Sequence, residues 1–533
     1  MKKILSLLMV FSALLVGCKK PEGHVSSWLR ISSLSALTYV DPQKISNDSD
    51  HKIIYAAFEG LIVPDPETMQ PLPGVAERWV ISPDGKTYEF FLRDNAKWSD
   101  GSPVIADDFV YAAKRALSSK LSCAFVELFF PVRNAKAFFN KEIRDFSRIG
   151  ICAVNSRTLR IELEERTPCF LMMLMHPCWF PLNDSVVKSL KRYNKDLYSQ
   201  NVSKLKIVSN GPFFISERIP GSRLLLNKNM HYWDSDNVLL STVVFYFDLN
   251  LSESIKMFHE KELDVVEMSL DNDGVIHDFS EESELVPSPL FECSGLALNT
   301  TRSVCSDKRI RIALSLAIDR EKLLDRIDKN KSLAAYGFVP PVDREYTAKQ
   351  LFRHDVDLAR KLLGEAGYPS GKGIPVLSIL CNESELGLNT VVVEQVSEDW
   401  RNTLGIDSKI DSRDLSSFID HRKKMHFDAV KISYGGTYCD PTLVADTFTS
   451  GSIKNYGKWS DPRYDEIVRG IHQAMDSKER GKLVEIAEAY LAEEMPIIPL
   501  FFGSKSYLID SRVRGWFPSA INIHPLKFVY FDH

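Results

Sequence analysis

The sequence predicts an α/β protein made of two or three lobes packed together. Strand-like and helix-like stretches alternate in several blocks, without a repeat period and without low-complexity linkers between them. With 533 residues, the chain has material for two to four domains with large cores. Its hydrophobic content of 44%, charged content of 26% and net charge of −5 are typical of a globular protein. No basic block or aromatic-basic interleaving is present, which argues against a nucleic-acid partner.

The N-terminus, "MKKILSLLMVFSALLVGCKK", has the layout of an export signal. Lys2 and Lys3 precede the apolar run 4–16, which is shorter than the roughly 20 residues that cross a bilayer. This layout predicts a signal peptide over residues 1–17. Its end resembles a bacterial lipobox, which implies that Cys18 is lipidated, with palmitate as one acyl chain, and becomes the mature N-terminus. The alternative is an ordinary signal peptide that happens to end near a cysteine.

The first part of the mature chain predicts a strand and a hairpin. The stretch "SSWLRISSLSALTYVDP" reads as a strand followed by a loop that closes at Asp41-Pro42. Further on, Tyr88, Phe90 and Leu92 alternate after the turn Asp84-Gly85, which indicates a hairpin strand.

A helix and an apolar segment follow the hairpin. Asp107 or Asp108 is expected to cap a helix whose apolar face holds Phe109, Ala112, Ala113, Ala116 and Leu117. The stretch "CFLMMLMHPCWFPL" is broken by Pro177 and Pro181, and we interpret it as core or interlobe packing.

A second mixed region runs from "NGPFFISERIPGSRLLLNK" to "TVVFYF" and leads into several helices. Asp307 is expected to open one helix over "DKRIRIALSLAIDREKLLDRI", and Asp461 caps another with Pro462 in its first turn. Asp440-Pro441-Thr442 indicates a further helix start, and "SKERGKLVEIAEAYLAEEM" a further helix. The chain ends with strand-like "PIIPLFF" and "FVYF".

Motifs of catalysis or metal binding are missing from the sequence, which contains no GxSxG, HExxH or strand-linked GxGxxG pattern. His421 and His426 lie five apart in a charged stretch, where a solvated face is favoured over a metal site. His176 lies among apolar residues and is expected to be a core histidine. We therefore predict no enzyme, no cofactor and no metal.

Several long stretches resemble the solute-binding lipoproteins of peptide-type ABC importers, specifically the oligopeptide-binding proteins of solute-binding family 5, the peptide/nickel group. They occur in the family's order from about residue 28 to 533. The stretches are "DPQKISNDSDHKIIYAAFEGL", "PGVAERWVISPDGKTYEFFLRDNAKWSDGSPVIADDFVYAAKRAL", "NGPFFISER", "LNTTRSVCSDKRIRIALSLAIDREKL", "AAYGFVPPV" and "DPRYDEIV".

The resemblance implies a two-lobed, type II periplasmic-binding-protein fold, a flytrap with an extra third subdomain. Lobe I would comprise residues 19–58, 186–290 and 500–533, the extra subdomain residues 59–185, and lobe II residues 291–499. Interlobe strands would act as hinges that close the lobes around a ligand. The implied function is capture of oligopeptides outside the cytoplasm and their delivery to the permease of an ABC importer. The protein would be anchored to a membrane of the cell envelope through its lipid, facing the periplasm or the cell exterior.

In this family an extended peptide lies between the lobes and pairs with exposed strands. The resemblance implies backbone or stacking contacts to the ligand from Ser433, Tyr434 and Gly435, whereas Lys431 would meet a ligand carboxylate. Glycines in a strand indicate close approach of another group, so the alternative for Gly435 and its neighbour is a strand bulge without ligand.

The loop "KISND", which includes Ser46 and Asp48, aligns with the clamp on the other side of the ligand. The family's disulfide at this cleft is not reproduced, because Gly435 stands where relatives have a cysteine. A shifted bridge between Cys293 and Cys439 is a possible replacement.

Thr437 departs from the family pattern. Well-known oligopeptide binders read Gly-Trp-Cys-Ala-Asp-Tyr-Asn-Glu-Pro here, and the aspartate pairs with the α-ammonium of the peptide. Thr437 offers a hydroxyl without charge, and charge-assisted hydrogen bonds are about twice as strong as neutral ones. Three explanations of this change are open. Asp48 or Asp440 receives the ammonium, or the ligand is a peptide with a blocked or absent amine, such as a cell-wall peptide. In the third explanation the ligand is not a peptide but a nickel chelate, haem or a sugar. A surface lipoprotein in host interaction is a second function class.

Overall fold

The computed structural model describes residues 27–33, 37–45, 47–121, 123–195, 207–219, 221–268, 283–327, 332–342, 346–383, 387–474 and 476–532. The signal peptide, Cys18 and Ser46 lie outside the described residues. Within the described ranges, no helix combines the length and the apolar character that a membrane span needs.

One large mixed sheet runs through the molecule. Its order is β15 (Ser408–Arg413), β14 (Leu377–Asn382), β16 (Ala429–Gly435), β12 (Ser283–Leu298), β17 (Ile497–Asp510), β11 (Val265–Met268), β1 (Trp28–Ser32), β10 (Thr242–Tyr246), β9 (Arg223–Lys228) and β8 (Phe213–Ile219). A short strand, β13 (Leu333–Ala334), also pairs with β17.

The two long strands β12 and β17 join the two halves of this sheet. They pair antiparallel from Ser283 opposite Asp510 to Ala297 opposite Ile497. Their register shifts between Pro289 and Cys293, so the ladder is interrupted in the middle of both strands. Such an interruption bends and twists a strand pair locally.

A separate four-stranded antiparallel sheet lies within residues 76–162. Its order is β4 (Ala76–Ile81), β5 (Thr87–Leu92), β7 (Thr158–Glu162) and β6 (Ile151–Asn155). The predicted hairpin strand is confirmed, because Tyr88, Phe90 and Leu92 are all buried on one face of β5. Two further strand pairs join β2 (Ile62–Pro64) to β3 (Pro71–Pro73) and β18 (Val513–Arg514) to β19 (Tyr530–Phe531).

Helices cover both sheets. They are α1 (Asp48–Ala57), α2 (Ala106–Ala116), α3 (Ala135–Phe139), α4 (Phe170–Leu174), α5 (Asp184–Lys195), α6 (Leu251–His259), α7 (Ser303–Ser306), α8 (Lys308–Leu316), α9 (Arg320–Ile327), α10 (Val356–Glu365), α11 (Leu388–Leu404), α12 (Leu415–Lys423), α13 (Thr442–Thr447), α14 (Pro462–Gln473) and α15 (Ser477–Glu494).

Two helix predictions are corrected. The single helix expected after Asp307 is two helices, α8 and α9. Arg320 is fully buried, and its guanidinium donates hydrogen bonds to the carbonyls of Ser315 and Pro499, 3.1 and 2.9 Å away, which fixes the break. Helix α2 begins after Ile105, so Ile105 is the cap residue in place of Asp107 or Asp108. Its carboxylate reaches back from the first turn and accepts the Ile105 N–H at 3.0 Å.

The other local predictions vary in accuracy. Asp461 caps α14 with Pro462 in the first turn, as predicted. Of "FVYF", only Tyr530 and Phe531 form a strand. The segment 169–182 is core, as predicted, and Trp179 stacks on Phe129 with 3.9 Å between ring centroids.

Candidate functional site

Strand β16 has one paired edge and one partly open edge. Its pairing with β12 continues to Gly435, whereas its pairing with β14 covers only Ala429 and Val430. In the part of the chain that the structure describes, no strand pairs with the β14-side edge beyond Val430. Ser433 is exposed on this segment. An open edge of this kind offers backbone donors and acceptors to an added strand.

Side chains of β16 alternate between two environments. Tyr434 is buried on one face, where its hydroxyl donates to the Phe338 carbonyl at 3.1 Å and its ring packs edge-on against Phe448. The ring of Tyr434 therefore packs in the core, and a ligand could contact Tyr434 through its backbone but not through its ring. Lys431 lies on the opposite face and is 6% exposed, next to the buried thiol of Cys381.

The two glycines at the end of β16 have left-handed backbone conformations, with φ of +102° at Gly435 and +73° at Gly436. A methyl group added to Gly435 would lie 2.2 Å from the Phe291 carbonyl oxygen. The Gly436 N–H donates to that same oxygen at 2.7 Å. Strand β12 is therefore the group that approaches Gly435 closely. A ligand contact at Gly435 stays a prediction.

A carboxylate that the sequence analysis did not single out lies beside these glycines. Glu292 pairs with Gly435 across the two strands. A methyl group on Gly436 would lie 3.6 Å from Glu292 Oε2. The side chain of Glu292 is partly exposed. No motif marks this residue, since only the pairing of two strands that are distant in sequence brings it to the site.

Thr437 follows these glycines and is buried, with 8% of its surface exposed. Among the described residues, its side chain has no hydrogen-bond partner. Asp440 is 2% exposed, and its Oδ2 accepts a hydrogen bond from Arg480 Nη1 at 2.6 Å. Its Oδ1 accepts the Thr442 N–H at 2.8 Å at the start of α13, which confirms the predicted helix start.

Asp48 lies at the start of α1 and belongs to a network of alternating charges. Its Oδ2 lies 3.4 Å from Lys505 Nζ and accepts a hydrogen bond from Asn522 at 3.0 Å. Burial acts to raise the pKa of Asp48, but Lys505 and Lys52 outweigh burial and hold that pKa below its ordinary value. The Asp48 side chain is 52% exposed.

The same network continues into the protein through Glu267. Lys505 Nζ lies 3.6 Å from Glu267 Oε1, and Lys52 Nζ lies 2.7 Å from Glu267 Oε2. Burial acts to lower the pKa of Lys505, whereas the carboxylates of Glu267, Asp48 and Glu292 carry it above its ordinary value. Asp48 and Glu292, which belong to distant parts of the chain, therefore act on the same ammonium group.

The loop that precedes Asp48 is fixed by side-chain contacts. Arg115 Nη2 lies 2.6 Å from Asp41 Oδ2, and Gln43 Nε2 donates to the Ala112 carbonyl at 2.7 Å. Asn47 caps α1 and donates to Thr38 Oγ1 at 2.8 Å. The loop is thus attached to α2, and its end at Asp48 is held in place.

A cavity of about 500 Å³ lies next to these residues. Its walls come from seven separate parts of the chain, and Cys439, Asp440 and Arg480 are among the residues that line it. The other lining residues are Glu67, Thr68, Met69, Gln70, Met172, Pro289, Val342, Pro518 and Ala520. The volume is in the range of small-molecule sites.

The cysteines and histidines do not form the alternative sites considered above. All eight described cysteines are free thiols, so the shifted bridge between Cys293 and Cys439 is not formed. Burial raises the pKa of the Cys293 thiol to about 12. The described residues hold no group of three or more histidines, cysteines or carboxylates that could bind a metal ion.

Residues 70–456 match the family described as "Bacterial extracellular solute-binding proteins, family 5 Middle". The chain belongs to this family. A similar relative of this family 5 protein is the periplasmic murein peptide-binding protein MppA of Escherichia coli, 28% identical over 487 residues that cover 90% of this chain and 88% of MppA. Another is the periplasmic oligopeptide-binding protein OppA of Salmonella typhimurium, 26% identical over 93% of this chain and 90% of that protein.

The structure of the Escherichia coli murein tripeptide-binding protein MppA superposes on this family 5 protein with a TM-score of 0.80 and 27% identity. It covers 95% of this chain and 99% of MppA. The predicted fold class, a two-lobed periplasmic-binding-protein fold, is thereby confirmed.

Proposed function

We propose that the protein captures an oligopeptide between its lobes and delivers it to an ABC importer. The observation that supports this most directly is the edge of β16 that stays open beyond Val430, with Ser433 exposed on it. A peptide strand added there uses backbone hydrogen bonds, which are independent of its side chains. Ser433 and Gly435 are the backbone partners we assign to it, with Asp48 on the opposite wall and Lys431 as a cation for a ligand carboxylate.

We further propose that β12 and β17 are the hinge. The lobe boundaries expected from the resemblance, 290/291 and 499/500, fall inside β12 and β17. The interruption of their ladder between Pro289 and Cys293 supports this assignment, because backbone rotation there disturbs few hydrogen bonds. Residues 59–185 form the extra subdomain in this proposal, and they hold the separate four-stranded sheet.

The chemical identity of the bound ligand distinguishes this function from its alternatives. Mass spectrometry should be applied to ligand released by denaturing protein purified from its native host, and a set of short peptides is expected. A nickel chelate, haem or a sugar would overturn the peptide assignment. An empty protein that no peptide pool stabilises would overturn it too, and would favour a surface lipoprotein. A peptide at 100 times its dissociation constant should stabilise the fold by about 2.7 kcal/mol.

The lipid anchor requires a separate test. We propose that Cys18 carries the lipid and that the protein stays at a membrane of the cell envelope. Metabolic labelling with a palmitate analogue should mark the protein, and Cys18→Ser should remove the label. Cys152→Ser is the matched control, since Cys152 is an exposed free thiol that should not carry the label. Label that persists in Cys18→Ser would overturn the proposal.

A further inference from the structure

We propose that the extra subdomain holds lobe II in the closed position and thereby slows the release of a captured peptide. The surface that does this, which we call the closure interface, consists of residues 127–173 on one side and residues 438–474 on the other. The inference rests on the proposed function and on the proposed hinge in β12 and β17. It gives the extra subdomain a role in the strength of capture.

The two sides of the closure interface belong to parts of the chain that the proposed hinge moves apart. Residues 127–173 lie in the extra subdomain, and residues 438–474 lie in lobe II. When β12 and β17 bend, lobe II moves as one body relative to the rest of the molecule. The contacts between the two segments therefore break when the lobes open and form again when they close.

A buried tyrosine belongs to this interface. Tyr438 is 2% exposed, and its hydroxyl oxygen lies 3.9 Å from the Sγ of Cys169, a residue that is itself 2% exposed. Buried tyrosines are frequent anchors of interfaces. Tyr438 directly follows Thr437, shortly after the end of the strand that we assign to peptide pairing. The closure interface thus adjoins the proposed ligand site in the chain.

Two cationic side chains also connect the two sides. Lys454 Nζ, in lobe II, lies 2.8 Å from Glu127 Oε1, in the extra subdomain, and these side chains are 28% and 19% exposed. The guanidinium of Arg166 donates a hydrogen bond to the Ala474 carbonyl. Interfaces between domains of one chain are more polar than permanent interfaces. Contacts of this kind can be exchanged for contacts with water when the lobes separate.

A cavity of about 390 Å³ lies between the two sides. Its apolar walls include Leu128, Phe130 and Met173 from the extra subdomain, and Leu443 and Ile453 from lobe II. Protein interiors are close-packed and contain few voids larger than a water molecule. A cavity of this size therefore indicates two surfaces that meet, rather than one continuous core, which is what a separable interface requires.

The closure interface acts on capture through the closed state. Contacts that exist only when the lobes are closed lower the free energy of that state and raise the fraction of the protein that is closed. A peptide enclosed between the lobes leaves only after they open. Weakening the interface should therefore speed the release of peptides, even though none of the substituted residues is assigned to the ligand.

The test reverses the charges of one pair in two steps. The protein is loaded with a random pool of tri- to pentapeptides and diluted into peptide-free buffer, and the retained peptides are counted over time by mass spectrometry. Glu127→Lys and Lys454→Glu each place like charges opposite one another, so each should speed release at least about fivefold. The variant with both substitutions restores opposite charges and should release peptides within about twofold of the native rate.

The matched control is an ion pair that does not cross the interface. Glu89 on β5 and Arg160 on β7 meet at 2.7 Å within the extra subdomain. Glu89→Lys also places like charges opposite one another, but the pair stays intact or broken irrespective of the position of lobe II. Glu89→Lys should therefore release peptides at the native rate, and release as fast as that of Glu127→Lys would overturn the inference.

The remaining outcomes separate this inference from the proposed function. If the native protein retains no peptide, the proposed function fails, and the inference fails with it. If peptides are retained and both single variants release them at the native rate, the inference is overturned and the proposed function stands. Faster release that the double variant does not correct indicates damage to the fold, and it overturns the inference as well.

A milder variant covers the case in which a charge reversal prevents folding. Lys454→Met removes the positive charge without placing a negative one beside Glu127. Lys454→Met should still release peptides faster than the native protein, because the ion pair across the interface is lost. Release at the native rate would overturn the inference.

Discussion

The carboxylate of Asp440 and the guanidinium of Arg480 meet at 2.6 Å in the wall of the cavity of about 500 Å³. The Asp440 side chain is 3% exposed and that of Arg480 is 17% exposed. The other carboxylate oxygen accepts the N–H of Thr442. Both carboxylate oxygens of Asp440 are therefore engaged in structural contacts, which connect the cavity wall to α13 and α15.

Asp440→Asn should destabilise the protein. Removing one partner of a buried ion pair costs about 3–5 kcal/mol, and the partial exposure of Arg480 indicates the lower end, about 3 kcal/mol. Urea denaturation measures this loss. Asp414→Asn is the matched control, because asparagine also caps helices and Asp414 caps α12 at the surface. Unchanged stability together with weaker binding of free-amine peptides would instead assign Asp440 to the ligand.

Gly435→Ala should cost more stability than Gly436→Ala. Both substitutions place a Cβ in a left-handed conformation, which costs about 1–2 kcal/mol. At Gly435 the new methyl group would also lie 2.2 Å from the Phe291 carbonyl, so β12 and β16 must separate, whereas at Gly436 its nearest neighbour is 3.6 Å away. Denaturation of both variants tests this, and equal losses would contradict the close approach of the two strands.

Sequence-based prediction succeeds where the contacting residues are close in the chain and fails where they are distant in it. The starts of α13 and α14 were predictable because an aspartate hydrogen-bonds to an N–H two residues later. The break between α8 and α9 was not predictable, because Arg320 donates a hydrogen bond to a carbonyl of β17, a strand that is distant from Arg320 in the sequence. The same reason explains why sequence reasoning does not find Glu292, and why it does not show that β12 lies close to Gly435.

The buried pair of Lys52 and Glu267 should contribute strongly to the stability of the protein. Their charged atoms lie 2.7 Å apart, with side chains 6% and 2% exposed. Lys52→Met should cost about 3–5 kcal/mol, because it leaves Glu267 buried with Lys505 as the remaining cation that the described residues place beside it. The double variant Lys52→Met with Glu267→Leu should lose less than the sum of the single losses.

A double-mutant cycle in urea measures this coupling. Lys188→Met is the control, since Lys188 pairs with Asp184 at the surface and its loss should change the stability little. Additive losses in the cycle would show that the two buried charges are stabilised independently.

His524 should make the fold sensitive to acid. Burial, with repulsion from Lys52, lowers the pKa of His524 to about 3. The unfolded chain takes up this proton near pH 6.5 and the folded protein only near pH 3, so the unfolded state binds more protons between these values. Stability contributed by this group is therefore complete above pH 6.5 and is lost as the pH falls, by about 1.4 kcal/mol per pH unit.

His524→Phe should make the pH dependence shallower. The ring stacks on Trp516 at 4.3 Å and meets Tyr507 edge-on, so phenylalanine fits the same contacts. The variant loses the hydrogen bond from Nδ1 to the Phe517 carbonyl, worth about 1 kcal/mol, and should be less stable at pH 7.5. On lowering the pH from 7.5 to 5, however, it should lose about 2 kcal/mol less stability than the native protein. Urea denaturation between pH 7.5 and 5 checks the prediction, and His259→Gln, at an exposed position, is the control. Parallel stability curves for the native protein and His524→Phe would contradict it, because they would show that His524 takes up its proton equally in the folded and the unfolded state.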